Sequence, residues 1–191
     1  MTAPAPAPAR APAVTAPARA PAVTAPAPAR ALATAPAGAV IRRAGECDGA
    51  ALAEMFARCT AATRYRRFHG HVNVLPARYL AEALSGRADH FALVAVAARQ
   101  AAGAIVALAS CRTVSPGTAE LGILVEDGWQ RLGLGAALLR EMAAHARRHG
   151  IGLLTAQLLA EQSWILQLLG PYGRCESVTS HGVLDVTVRL S

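Results

Sequence analysis

The sequence predicts a mixed α/β (α+β) domain behind a structureless N-terminal tail, and three observations carry that reading. Apolar residues recur at helical spacing in segments that lie far apart in the chain. Short, nearly continuous apolar runs bounded by Gly, Pro and Ser stand between and after them, as buried strands do. The first stretch, Met1 to about Gly38, has neither pattern: it is almost wholly Ala, Pro, Thr, Val and Arg and holds nine of the twelve prolines.

That first stretch repeats the unit Arg-Ala-Pro-Ala-Val-Thr-Ala-Pro-Ala in tandem from Arg10 and Arg19. Prolines this dense remove backbone donors and block helix and sheet, so residues 1–38 are expected to be a disordered, polyproline-like tail. Residues 39–191 are then one domain, since roughly 150 residues suffice for one sizeable core.

Within that domain an apolar-basic segment, Ala39 to Arg43, comes first. Asp48 stands as an N-cap before Leu52, Met55, Phe56 and Cys59, whose spacing is that of an amphipathic helix. Arg64 to His71 reads as a loop rich in Arg and His, placed either to line an acceptor site, to contact cofactor phosphates or simply to face solvent. Pro76 opens a second helix carrying Tyr79, Leu80 and Leu84. Phe91 to Ala97 and Ala104 to Ala109 read as a hairpin of buried strands with its turn at Gln100 to Gly103. After the turn Ser115-Pro116-Gly117, the run Glu120 to Val125 alternates, so Leu121, Ile123 and Val125 share one face and Glu120 takes the other. A long helix from about Gly133 to His149 carries the stripe Leu134, Leu138, Met142 and Ala146 and stops at Gly150. A strand at Leu153 to Leu158, a short helix at Ser163 to Leu169 and two strands split by Ser180-His181-Gly182 complete the order.

Composition excludes several chemistries. All 19 basic residues are arginine. Without Lys there is no P-loop, no Schiff base and no Ser-Lys dyad. The formal charge is +7, of which Arg10, Arg19 and Arg30 of the acid-free tail supply three units. The domain is therefore only mildly basic, and with aromatics just 4% of the chain it lacks a nucleic-acid platform. No nucleic-acid partner is expected, whereas a phosphate-rich cofactor suits the charge. Cys47, Cys59, Cys111 and Cys175 are scattered and read as reduced, mostly buried thiols. His69 and His71 would share a face on a strand, but a pair without a third ligand gives no metal site, and none is expected. Proline interrupts any apolar segment at the N-terminus and no run is long enough to span a membrane, so a cytoplasmic location without membrane contact is expected.

The chemistry is concentrated in one junction. The strand Ile123-Leu124-Val125 runs through Glu126-Asp127-Gly128-Trp129 into Gln130-Arg131-Leu132-Gly133-Leu134-Gly135-Ala136, which opens the long helix. A helix start offers unpaired N–H groups and a partial positive charge, and glycines there let phosphate oxygens approach the backbone. The spacing is not Gly-x-Gly-x-x-Gly, because position 138 is Leu, which argues against a dinucleotide fold.

At this junction the chain resembles the GNAT superfamily, whose signature Gln/Arg-x-x-Gly-x-Gly/Ala is matched by Gln130 to Ala136. More closely it is similar to the GNAT domain of bacterial Pat-type protein lysine acetyltransferases, through Arg64-Tyr65-Arg66-Arg67-Phe68, Ala119-Glu120 and Gly182 to Val188. The resemblance implies a mostly antiparallel, twisted sheet flanked by helices, with its two middle strands splayed at the signature. It implies acetyl-CoA as cosubstrate, with Ile123, Leu124 and Val125 pairing the pantetheine arm and Gln130, Arg131, Leu132, Gly133, Leu134, Gly135 and Ala136 around the pyrophosphate. Glu120 becomes the general base, needed because an amine of pKa about 10.4 is protonated at neutral pH and cannot attack a thioester. Glu161-Gln162 stands where such enzymes usually carry Asn, so Gln162 becomes a cofactor contact through a longer stem. Gly170-Pro171 breaks the following helix, leaving Tyr172 either a proton donor to the departing thiolate or a packing residue. With an Ala/Pro tail at the N-terminus, no counterpart of the cyclic-nucleotide domain beside some Pat-like enzymes is expected. The expected function is acetyl transfer to an amine, with a protein lysine first and a small amine as alternative; a third reading is a silent module that binds acetyl-CoA.

Overall fold

The computed structural model describes residues 31–35, 38–98 and 103–191. The strands are β1 (Ala31–Ala35), β2 (Ala39–Arg43), β3 (His90–Ala97), β4 (Ile105–Ser115), β5 (Thr118–Val125), β6 (Leu153–Leu159), β7 (Gly173–Ser180) and β8 (Val183–Leu190). They form one eight-stranded sheet in the order β1-β2-β3-β4-β5-β6-β8-β7. Every neighbouring pair is antiparallel except β5 and β6. The helices are α1 (Gly49–Arg58), α2 (Ala61–Phe68), α3 (Ala77–Leu84), α4 (Leu134–Arg148) and α5 (Ile165–Leu169).

The sheet is covered on both faces, which is why β3 and β4 read as unbroken apolar runs rather than as alternating ones. On one face α4 and α5 bury Leu134, Leu138, Met142 and Leu169 against Leu93, Ala109, Leu121 and Leu154. On the other, α1 and α3 bury Leu52, Met55, Phe56 and Ala83 against Val94, Leu108 and Leu124. Each fully buried leucine of these layers contributes about 2 kcal/mol. The amphipathic stripe of α4 is as spaced in the sequence, and the helix closes at Gly150 by bonds from Gly150 N–H to Arg147 and from Ile151 N–H to Ala146.

The middle of the sheet opens. β5 and β6 pair only at Thr118–Glu120 with Leu153–Thr155, after which β6 continues on β8 alone. Residues Leu121 to Val125 thus keep β4 on one side and have no strand on the other. The opening lies beside the end of β5, from which residues 126–133 lead into α4.

Three expectations need correction. The tail does not run structureless to Gly38, because Ala31–Ala35 form β1 against β2 with Ala35 only 3% exposed. Residues 29–35 are the longest stretch of that segment without proline, so their amides remain available to pair; Met1 to Arg30 lie outside the described residues. Arg64 to Phe68 are not loop but helix α2, which Thr60 caps by accepting from Thr63 N–H at 3.2 Å. Lastly, β4 extends past Ala109 to Ser115, and residues 99–102 of the expected β3–β4 turn lie outside the described residues.

Candidate active site

The signature turn is clamped to α2. Asp127 accepts from Thr60 N–H at 2.8 Å and from the hydroxyls of Thr60 and Thr63 at 2.7 Å each. Burial, the largest single effect on Asp127, pushes its carboxyl up, but these three hydrogen bonds together outweigh it and hold it below the usual carboxylate range. Gln130 Nε2 donates to Thr63 Oγ1 and to the Val125 carbonyl, both at 3.0 Å. Gln130 therefore orients the turn through its side chain. Glu126 is held by Arg58 at 2.9 Å, which also donates to the Ile105 carbonyl. Neither Thr60 nor Thr63 stood out in the sequence; their only signal is a pair of hydroxyls at the cap and in the first turn of an apolar-poor helix.

Past the clamp the chain turns sharply. Arg131 takes a positive φ of 60°, and Gly133, the N-cap of α4, has φ 80°, a region open to glycine at little cost. No side chain caps α4, so its first amides point outward unpaired by any cap. A Cβ added at Gly135 would meet nothing within 4 Å. Arg131 and Leu132 are exposed, Leu134 is buried, and Gly135 and Ala136 are half-buried on the first turn. The free edge of Ile123, Leu124 and Val125 leads through residues 126–130 into this turn.

Gln162 lies across the opening beside β5, in a 3₁₀ turn after β6. Its Oε1 accepts from Leu159 N–H at 3.1 Å, so half of its amide is engaged in the fold. Arg66 on α2 bridges to the adjacent Glu161 at 3.1 Å. Tyr172 packs against the α4-side core, and its carbonyl accepts from Arg147 in the last turn of α4 at 2.8 Å. That is the end of the helix remote from the signature, and Tyr172 does not line the cleft that holds Glu120.

Glu120 projects to the face opposite Leu121, into a cleft of about 320 Å³ between α2, α3 and the sheet. Its half-exposed carboxylate accepts from Arg112 at 2.8 Å, directly across the β4–β5 ladder. His90 stands opposite Arg112 on β3, so the three form one cross-strand row. His90 is 5% exposed, and burial first, with Arg112 adding to it, holds its imidazole below the ordinary range against the opposing pull of Glu82. Arg67, Phe68, Arg78, Tyr79, Glu82, Ser110 and Gly122 complete the lining. Tyr79 Oη and Ser110 Oγ share a hydrogen bond of 3.0 Å, and Arg78 pairs with Glu82 at 2.8 Å.

His69 and His71 fall in the loop after α2 rather than on a strand, with the His71 ring 5.5 Å from that of Tyr65. Among the described residues no three His, Cys, Asp or Glu side chains gather as a metal group. Cys59 and Cys111 are buried, and burial pushes each thiol up to about 11. No helix among the described residues is long and apolar enough to cross a membrane.

Comparison with known proteins agrees with this geometry. The fold is that of the GNAT domain of S. lividans PAT, at 22% identity and a TM-score of 0.68 over 80% of this chain and 90% of that one. YncA from Salmonella typhimurium, solved with its cofactor acetyl-CoA, matches at 21% identity and a TM-score of 0.61 over 81% and 95%. A cAMP-binding acyltransferase from Mycobacterium smegmatis matches at 23% identity and a TM-score of 0.53, over 80% of this chain but 44% of that longer one. No curated protein matches. Residues 51–163 match the acetyltransferase (GNAT) family, from α1 through the signature turn to Gln162, and the chain belongs to that family.

Proposed function

We propose that the protein transfers the acetyl group of acetyl-CoA directly to an amine, with Glu120 as general base. The observation that carries this reading is the position of Glu120 on the signature strand, facing a cleft on the side away from α4 while the wedge beside the same strand is open. Ile123, Leu124 and Val125 would pair with the pantetheine arm through backbone groups that have no strand partner on that side. The uncapped first turn of α4, with Gly133 and Gly135, would take the pyrophosphate, with Arg131 adding charge and Leu132, Leu134 and Ala136 shaping the turn. Gln130 would act by holding this turn, and Gln162 would reach the cosubstrate through Nε2.

Acetyl-CoA supplies an activated thioester. Glu120 takes a proton from the acceptor ammonium, the freed nitrogen forms a C–N bond to the acetyl carbon, the C–S bond breaks, and the second proton lost by that nitrogen balances the one gained by the departing thiolate, so CoA leaves as a thiol. Arg112 orients the Glu120 carboxylate toward the cleft. The acceptor is an amine; likeness to Pat-type domains favours a protein lysine, and a cleft enclosed by α2 and α3 equally admits a small amine.

Glu120→Gln keeps size and hydrogen bonding but removes the basic site. Acetyl-CoA affinity should change little while turnover falls by about 10²–10⁴-fold, and raising pH should restore part of the rate. Full turnover of the variant at neutral pH would remove Glu120 from the chemistry. That outcome would shift suspicion to a water relay or to another acid such as Glu126, which pairs with Arg58 and does not line the cleft.

A further inference from the structure

The cleft beside Glu120 holds a cation that no side chain neutralises, and we propose that this cation, Arg67, binds a carboxylate carried by the acceptor close to its reactive amine. The inference rests on the reading of that cleft as the acceptor site. Arg67 lies near the C-terminus of α2, with its guanidinium 4.9 Å from the centre of the Phe68 ring and 5.1 Å from that of Tyr79. Its inner side lies on the α-carbon of Gly122, where a Cβ would overlap the guanidinium. Among the described residues its one hydrogen bond runs from Nη2 to Tyr79 Oη at 3.2 Å, and its Nε is buried without a partner.

All 12 acidic residues of the chain lie among the described ones, and none pairs with Arg67. The other two arginines of the cleft are engaged, Arg78 by Glu82 and Arg112 by Glu120. Three cations therefore face two carboxylates. With His90 neutral, one positive charge is left for a ligand.

A guanidinium held against two rings and a strand has lost most of its freedom already, so binding an anion costs it little further entropy. Its planar fork matches a carboxylate with two parallel N–H···O bonds. His90, 5% exposed, lines the same cleft, and its buried Nε2 has no hydrogen-bond partner among the described residues; a neutral imidazole can donate there without adding charge. Glu120 and Gly122 are two residues apart on one face of β5, so the base and the cation stand about 7 Å apart along the strand. A molecule whose ammonium and carboxylate are separated by a few bonds spans that distance. Such chemistry belongs to a free amino acid or to a peptide lysine flanked by acidic residues.

The test uses the full chain with saturating acetyl-CoA. Acceptors are paired with and without the carboxylate: L-lysine with cadaverine, L-ornithine with putrescine, L-phenylalanine with phenethylamine, and a blocked peptide with lysine between two Asp residues against one with lysine between two Ala residues. The carboxylate-bearing member of at least one pair should be preferred by at least about tenfold in kcat/KM. Arg67→Met should reduce that preference to within about twofold, chiefly through KM for the carboxylate-bearing acceptors, while acetyl-CoA affinity stays nearly unchanged. Gly122→Ala, which displaces the guanidinium without deleting it, should do the same and guards against a folding defect in the first variant. Preference confined to free amino acids, or to the Asp-flanked peptide, supports the inference and identifies the source. Absence of preference in every pair, or a preference that survives both variants, overturns it. Calorimetry with the same pairs separates the two readings: carboxylate preference in binding without turnover sinks the transfer reaction and keeps this site, and turnover without preference does the reverse.

Discussion

Asp48 occupies the N-cap position of α1 that the spacing predicts, yet its carboxylate makes no cap bond. It is buried and accepts from Arg42 Nη1 and Nη2 at 2.7 Å each and from Gly45 N–H at 2.8 Å. Burial is the largest single influence and raises its pKa, but the Arg42 hydrogen bonds and charge with the Gly45 amide outweigh it, and the group is held below the usual carboxylate range. A depressed folded-state pKa stabilises above the unfolded value, near 3.9, and the contribution is lost as pH falls through the folded value. Asp48→Asn should therefore cost about 2–3 kcal/mol at neutral pH, since it strands a partly buried guanidinium. The gap from wild type should close below about pH 4. Urea unfolding across pH 3–7 checks both, and a constant gap would mean that the carboxylate charge contributes nothing. A single residue also decides the partner of Glu120. The two-residue turn pairs Ser115 with Thr118, and regular counting would then put Thr113 opposite Glu120. A bulge at Val114 shifts the ladder by one and brings Arg112 there instead.

At the scale of the element, α4 was readable and α2 was not. The stripe of α4, its glycine start and its Gly150 stop are all local signals. The sequence Ala61–Phe68 has no apolar stripe; it is helical because Thr60 caps it and because Phe68 docks edge-on against Phe56 and Tyr79, with ring centres 5.7 and 5.5 Å away. Gly135 allows the α4 start to be tested apart from the fold. A side chain there meets nothing, and a carboxylate in a first helical turn favours the helix. Gly135→Glu should leave the melting temperature unchanged or slightly higher, while the affinity for acetyl-CoA measured by calorimetry falls by at least about 100-fold. Unchanged affinity would move the phosphate site elsewhere.

For the molecule as a whole, β1 is the first element among the described residues. Removing Met1 to Arg30 should shift the melting temperature by no more than about 2 °C, because that segment has no apolar periodicity with which to pack. Removing residues through Gly38 takes β1 as well, uncovers the edge of β2 and exposes the contacts of Ala35. That deletion should cost about 1–2 kcal/mol, or several degrees. Equal melting temperatures for the two truncations would show β1 to be an ornament of the sheet rather than part of its stability.

What the sequence determined by itself is what repeats at short range. The order of elements apart from β1 and α2, the stripe of α4, the alternation that sends Glu120 away from Leu121, and the glycines at the start of α4 all follow from periods of 2 and 3.6 and from local turn chemistry. Only the tertiary structure decided which side chains meet. The clamp of Thr60 and Thr63 on Asp127, the row His90, Arg112 and Glu120, and Arg67 lying on Gly122 join residues on different strands, helices and turns, eight positions apart for Arg112 and Glu120 and tens of positions for the clamp and for Arg67 with Gly122. Their contacts depend on sheet register and on the seating of α2. A one-residue bulge sets that register at Glu120, and no local preference encodes which helix will lie over which strand.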